Sequence, residues 1–156
     1  MLAEKARKTL AKKAAYGSDL LLPHGVSTVE ERSIDSLENL DKRLKEASLL
    51  SGFNSDESGR AGSYFQKNNA VIYQKVQEAY RGQVEIMSIE EALAKYSWLK
   101  EYYWRNVPVD MDKYTAQVEL WGRGGYFIRI LPGARVKQPI QSCLLMDEAG
   151  ECQRVH

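Results

Sequence analysis

The sequence predicts an α+β chain in two parts, a helical region with a few strands over residues 1–106 and a β core over residues 107–156. Three observations lead there. Apolar residues recur at helical spacing in three stretches before Val107. Asp35 with Glu38, and Ser88 with Glu91, have the spacing of capping boxes ahead of two of those stretches. Beyond Pro108, turn residues return roughly every ten positions, a rhythm of short strands.

In chain order, Leu2, Ala6, Leu10 and Ala14 form one stripe of a helix over 2–15, and Lys5, Arg7, Lys8, Lys12 and Lys13 give it a basic outer face against the single acid Glu4. Residues 16–32 carry Gly17, Pro23 and Gly25 without either period and read as a connector, with Leu20, Leu21 and Leu22 pinned against the rest of the chain. A helix over 36–50 follows, with Leu37, Leu40, Leu44 and Ala47 on one face and Gly52 as its stop. The polar run 53–61 hands over to strands at 62–66 and 70–73 around a turn at Asn68 and Asn69. A short strand over 83–87 precedes a helix over 89–104. Ile89, Leu93, Tyr96, Leu99 or Lys100, and Tyr103 line one face of that helix, Trp98 and Tyr102 a second, and Glu91 supports Lys95 one turn on. Aromatics on two faces predict cover on both sides, and core packing is favoured over a base-stacking platform.

In the C-terminal part, Tyr114, Ala116, Val118 and Leu120 alternate with Thr115, Gln117 and Glu119, the pattern of a half-buried strand. Gly122, Arg123, Gly124 and Gly125 then read as a tight turn between strands rather than an anion-binding nest. Strands over 126–131 and 139–146 are separated by Pro132 and Gly133, and a turn at 147–150 leads into a last strand over 151–156. Periodicity fits a sandwich, a barrel or a β-solenoid alike. A chain that ends inside a strand predicts either a fragment, the favoured reading, or a partner over the open edge, through which copies could also self-associate.

Composition narrows function. The 156 residues hold 22 Lys and Arg against 21 Asp and Glu, a net charge of +1, so no global field draws the chain to nucleic acid or anionic lipid. With 44% hydrophobic and 28% charged residues the chain has the make-up of a water-soluble globular protein. No apolar run approaches the ~20 residues that span a bilayer, and residues 1–13 are charged, so the expected address is cytoplasmic. Phosphate loop, dinucleotide fingerprint, zincin pair and nucleophile elbow are all missing, so no enzyme is expected and no catalytic or cofactor residue is assigned.

Cys143 and Cys152, with His156, are the soft side chains that iron would accept, but two thiols make a poor site, and small buried core residues are the favoured reading. No metal ligand is therefore assigned. A four-residue hairpin loop at 147–150 would set Leu145 opposite Cys152 and Cys143 opposite Arg154, which disfavours a disulfide. His24, beside Pro23 and Gly25, reads as a solvated or turn-capping histidine.

The run Val107-Pro-Val-Asp-Met-Asp-Lys-Tyr-Thr-Ala, then Trp121-Gly-Arg-Gly-Gly-Tyr-Phe-Ile-Arg-Ile-Leu-Pro-Gly-Ala-Arg-Val, then Pro139-Ile-Gln-Ser, resembles the entry to the core of SufB/SufD iron–sulfur cluster assembly proteins. Upstream, Gly59-Arg-Ala-Gly-Ser-Tyr-Phe-Gln, Val71-Ile-Tyr and Trp98-Leu-Lys-Glu-Tyr-Tyr look like the N-terminal domain of the SufB branch. Pro132-Gly133-Ala134 and Ser142-Cys143-Leu144-Leu145 depart from the family pattern, the second pointing toward a single archaeal-type SufB-like scaffold. The resemblance covers residues 59–156 well and 1–58 loosely. It implies an N-terminal domain followed, from about Tyr114, by the first coils of a right-handed parallel β-helix. It also implies a scaffold acting with the SufC ATPase and a second SufB/SufD-type subunit, with an iron–sulfur cluster bound by residues beyond His156 and no cofactor in this chain.

Two other readings stand beside it. One is a non-catalytic protein–protein interaction module docking through the basic helix 2–15 or the aromatic helix 89–104. The other is a nucleic-acid binder using Lys5, Arg7, Lys8, Lys12 and Lys13, disfavoured by the balanced charge of the whole chain.

Overall fold

In the computed structural model the structure describes residues 1–12, 32–146 and 152–156. Its centre is β1 (Gly62–Lys67), which pairs antiparallel with β2 (Ala70–Val76). Asn68 makes the turn between them at φ +51, a left-handed conformation that asparagine tolerates better than most residues. On its other edge β1 pairs in parallel with β5 (Ile140–Leu145), giving a three-stranded sheet in the order β2-β1-β5. A second sheet pairs β3 (Val84–Ser88) antiparallel with β4 (Tyr126–Ile130).

As the central strand, β1 is covered on both faces. Phe65 points into a cluster with Leu37, Leu40, Leu44, Phe53 and Ile72, where the Phe53 ring stacks on it at 5.3 Å. Tyr64, its neighbour, points the other way onto Val84 and Ile86. Burying each such side chain is worth roughly 1.5–3 kcal/mol.

The expected helix over 36–50 is two pieces. A single 3₁₀ turn, Leu37–Asn39, is capped by Ser36, and α2 (Lys42–Leu50) starts afresh at Asp41, whose Oδ1 accepts from the Leu44 amide at 2.9 Å. Asp35 is not the cap: Ser36 Oγ accepts from the Glu38 amide and Asp41 from the Leu44 amide. Gly52 ends α2 at φ +82.

The largest correction falls at residues 114–120, expected as a strand. They lie in α4 (Lys113–Trp121), started by a capping box in which Asp112 Oδ1 accepts from the Thr115 amide at 2.8 Å and Thr115 Oγ1 accepts from the Asp112 amide at 3.1 Å. Ala116 and Gln117, adjacent in sequence, are both buried, which a half-covered strand does not allow. This helix packs on α1 (Leu2–Lys12), with the fully buried Ala6 and Ala116 letting the two backbones approach.

The expected helix over 89–104 is shorter than its stripe. From the Ser88–Glu91 capping box, α3 runs only from Ile89 to Lys95, and a 3₁₀ segment Ser97–Glu101 carries the chain on. Lys95 pairs with Glu85 at 3.0 Å rather than with Glu91, whose carboxylate accepts from the Ser88 amide and from Gln74.

Gly122 to Gly125 is not a strand-to-strand turn but the link from α4 to β4, with Gly124 and Gly125 at φ +115 and +108. A Cβ on Gly125 would run into the His156 backbone, and one on Gly124 into the Gln66 side chain. Pro132 and Gly133 do turn the chain, with Gly133 at φ +81. Strands β4 and β5 join β3 and β1 respectively instead of stacking on each other, so the chain is α+β but a parallel β-helix is not shown. Residues 152–156, expected as a strand, are not in one; the Cys152 carbonyl accepts from Asn69 Nδ2 and Gln153 Nε2 donates to the Asn68 carbonyl at 2.7 Å. The connector to residue 31 with His24, the last residues of the first helix and the 147–150 loop lie outside the described residues.

Candidate interaction surface

Alternation along β3 and β4 sends Val84, Ile86 and Ile128 to the core and Glu85, Met87, Phe127 and Arg129 to the opposite face. The short α3 and the 3₁₀ segment after it lay Tyr96 and Trp98 across that face. Glu85 organises it, accepting from the Tyr96 hydroxyl and from Lys95 Nζ at 3.0 Å, with Arg129 at 3.6 Å. The Tyr96 hydrogen bond, with Lys95 and Arg129 beside it, holds the Glu85 carboxyl below its ordinary value. The Arg129 guanidinium stands 5.3 Å over the Tyr96 ring and 5.4 Å over Trp98. Outermost are Trp98 and Tyr102, edge to face at 5.9 Å and 39% and 56% exposed.

Beside this face a cleft of about 440 Å³ opens between the turn after the 3₁₀ segment and α4, lined by Tyr102, Trp104, Arg105, Val107, Tyr114 and Val118 among others. Trp104 sits at φ +60, unusual for so bulky a residue and a strain of about 1–3 kcal/mol that its surroundings hold in place. Its indole N–H donates to Glu119 Oε2 at 2.8 Å, so α4 fixes the wall of the cleft. The His156 ring packs 4.2 Å from Tyr103 and 4.3 Å from Trp104, and burial lowers the pKa of its imidazole. Burial, with Glu119 nearby, pushes the Tyr103 phenol up to about 12.

The soft side chains singled out from the sequence are not gathered. Cys143 lies in the core cluster around Phe65, where burial raises its thiol pKa and Ser51 Oγ stands at 3.6 Å. Cys152 is half-buried near the Gln153 carbonyl, and both cysteines are free thiols. His156 belongs to the aromatic cleft. Among the described residues no group of three or more His, Cys, Asp or Glu side chains is placed to hold a metal ion. The glycine link makes no anion nest: the Gly124 amide donates to Glu90 Oε1 at 3.2 Å and the Gly125 amide to Gln66 Oε1 at 3.1 Å. Tyr96 and Tyr103 are half-buried and Leu99 is buried, so the expected stripe is core-facing while Trp98 and Tyr102 stay outside. In the basic first helix Ala6 and Thr9 are covered by the fold while Lys5, Arg7, Lys8 and Lys12 remain exposed.

Two elements of the site escaped sequence reasoning. Glu85 lay unremarked within the short strand expected over 83–87, and Glu119 was read as a strand residue alternating with apolar ones; Lys95 and Trp104, their respective partners, lie ten and fifteen positions away and no local spacing announces them.

No family model matches the chain. It is 35% identical, over 159 aligned residues covering 98% of its length, to an iron-sulfur cluster assembly SufBD family protein of Methanothermobacter thermautotrophicus strain Winter. The chain belongs to the SufBD family. A SufBD protein of strain Delta H of the same species is 36% identical over the same share, and one of Archaeoglobus fulgidus is 39% identical over 74% of the chain. The chain spans 38% of the length of each Methanothermobacter relative, and the Archaeoglobus match spans 29% of that protein. The 98% coverage carries SufBD similarity into residues 1–58, where motifs resembled the family only loosely. No helix among the described residues is long and apolar enough to cross a membrane.

Proposed function

We propose that this chain is the N-terminal part of a scaffold for iron–sulfur cluster assembly and is not itself an enzyme. The observation that carries the reading is the match, over nearly the whole chain, to proteins named for iron–sulfur cluster assembly. In this reading the chain supplies a folded framework, while the cluster is held by residues of the longer protein. That protein acts in the cytoplasm with a SufC-type ATPase and a second SufB/SufD-type subunit, and the right-handed parallel β-helix implied by the resemblance belongs to its remainder.

The test is anaerobic reconstitution with ferrous iron and sulfide, run in parallel on this chain and on the longer protein. The longer protein is expected to take up iron and sulfide in stoichiometric amounts and to bind the ATPase, and this chain to do neither. Stable cluster uptake by residues 1–156 alone would overturn the assignment of the ligands to the remainder.

A further inference from the structure

We propose that residues 152–156 are a latch. They hold a separately packed body, made of α1, α4 and the 103–109 turn, against the sheets, and this body opens as a unit about the glycine link when the latch lets go. The proposal does not depend on the scaffold reading.

The first support is how the core is divided. Ala6 of α1 meets Ala116 of α4 together with Trp104 and Val109, and no strand residue belongs to that cluster. The clusters around Phe65, Tyr64 and Ile89 in turn contain no residue of α1 or α4. Tyr103 is the one side chain among them that packs on both the helix pair and the α3 cluster. The Trp104 indole bond to Glu119 lies inside the helical body and moves with it. A region with its own small core and few apolar contacts to the rest is the kind that opens below the free energy of global unfolding.

The second is where the latch reaches. Gln153 Nε2 donates to the Asn68 carbonyl at 2.7 Å and the Leu145 carbonyl at 3.1 Å, both at one end of the three-stranded sheet, and Asn69 Nδ2 holds the Cys152 carbonyl at 3.3 Å. Arg154, the next residue, reaches α4 instead. Its Nε donates to Gln117 Oε1 at 3.3 Å, its guanidinium stands 5.8 Å over the Trp121 ring, and it is 4% exposed. The segment thus crosses the boundary between the two bodies through polar bonds. Such bonds are worth about 0.5–3 kcal/mol each, strong enough together to close and weak enough to release.

The third is the hinge. The Gly124 amide is tied to Glu90 on α3 and the Gly125 amide to Gln66 on β1, so the link pivots at Gly122 and Arg123, between α4 and those anchors. A Cβ on Gly122 would come within 3.0 Å of the Arg154 carbonyl, and one on Gly125 would strike the His156 backbone. The latch therefore lies directly on the link and blocks its movement while closed. A few loop residues at the end of an element are the usual place for a hinge.

Distances between paired spin labels on this chain test the proposal, in a Cys152→Ser background with Cys143 left buried. One label replaces Lys8 on α1 and the other Lys42 on α2, which packs on the sheet. A control pair replaces Lys8 and Lys113, both in the helical body. The unaltered latch is expected to give one narrow distance for each pair. Gln153→Ala and Arg154→Ala cut the latch at opposite ends. Singly and together they are expected to raise the open fraction, about tenfold for each bond lost, as a second distance between positions 8 and 42. The distance between positions 8 and 113 is expected to stay as it was, whereas general unfolding would spread both. Gln153 is half-buried, so its variant carries the test if Arg154→Ala does not fold. A single unchanged distance between positions 8 and 42 in the latch variants would overturn the proposal. So would spreading between positions 8 and 113, because the helices would then come apart instead of moving as one body.

Discussion

A carboxamide near the end of the buried central strand holds the glycine link that joins α4 to β4. Gln66 is fully buried, takes the Gly125 amide on Oε1 at 3.1 Å and donates through Nε2 to the Asn68 carbonyl at 2.9 Å. Gln66→Leu leaves the Asn68 carbonyl its bond from Gln153 but strands the Gly125 N–H, so urea unfolding is expected to show a loss of about 1–3 kcal/mol. A glutamine beside Tyr64 and Phe65 was the signal available in the sequence; its partner, 59 residues on, was not. Glu57 gives a pH signature. Burial opposes its ionisation, but hydrogen bonds led by that from the Tyr73 hydroxyl at 2.6 Å, with Lys75 at 3.2 Å, outweigh it and leave its pKa lowered. A folded-state pKa below the unfolded value gives stability that is complete above about pH 4.3 and is lost as pH falls through the folded value. Tyr73→Phe is therefore expected to lose part of its stability deficit at low pH, where wild type and variant converge. Unfolding midpoints across an acid series check it, and a deficit that is constant with pH would contradict it.

At the scale of elements, α4 shows why alternation misleads. Tyr114, Ala116, Val118 and Leu120 satisfy period two, yet the box at Asp112 and Thr115 was equally present and marks a helix start. What decided between them is α1, whose Ala6 meets Ala116 at full burial, a long-range contact that no window around residue 116 contains. Asp112→Ala is expected to cost about 1 kcal/mol through the lost cap. Ala116→Leu is expected to cost about 1–3 kcal/mol through overpacking against α1. Chemical denaturation reads both, and a neutral Ala116→Leu would mean that α1 is not packed there. The elements that were legible are those whose signals are local. Asn68 and Asn69 mark the hairpin of β1 and β2, the Ser88–Glu91 box starts α3, and Pro132 with Gly133 turns the chain into β5. The helix expected over 89–104 ran too long because its aromatic stripe continues through the 3₁₀ segment to Trp104, where a positive φ redirects the backbone.

At the scale of the whole molecule, three pairings tie residues before Val107 to residues after it: β1 with β5, β3 with β4, and α1 with α4. Residues 1–106 produced alone would leave β1, β3 and α1 without those partners, and are expected to show no cooperative thermal unfolding; a sharp transition would mark an independent unit ending there. The same pairings explain why the family was readable before the topology. Motif order survives in the sequence, whereas which strand sits beside which depends on contacts between distant segments. The framework reading requires that Cys143, Cys152 and His156 hold no cluster ligand position. Its most direct test replaces all three with alanine in the longer SufBD protein and measures iron and acid-labile sulfide per chain after anaerobic reconstitution. Unchanged loading, with the complex intact, is the predicted result; loss of the cluster from a variant that still folds would contradict it.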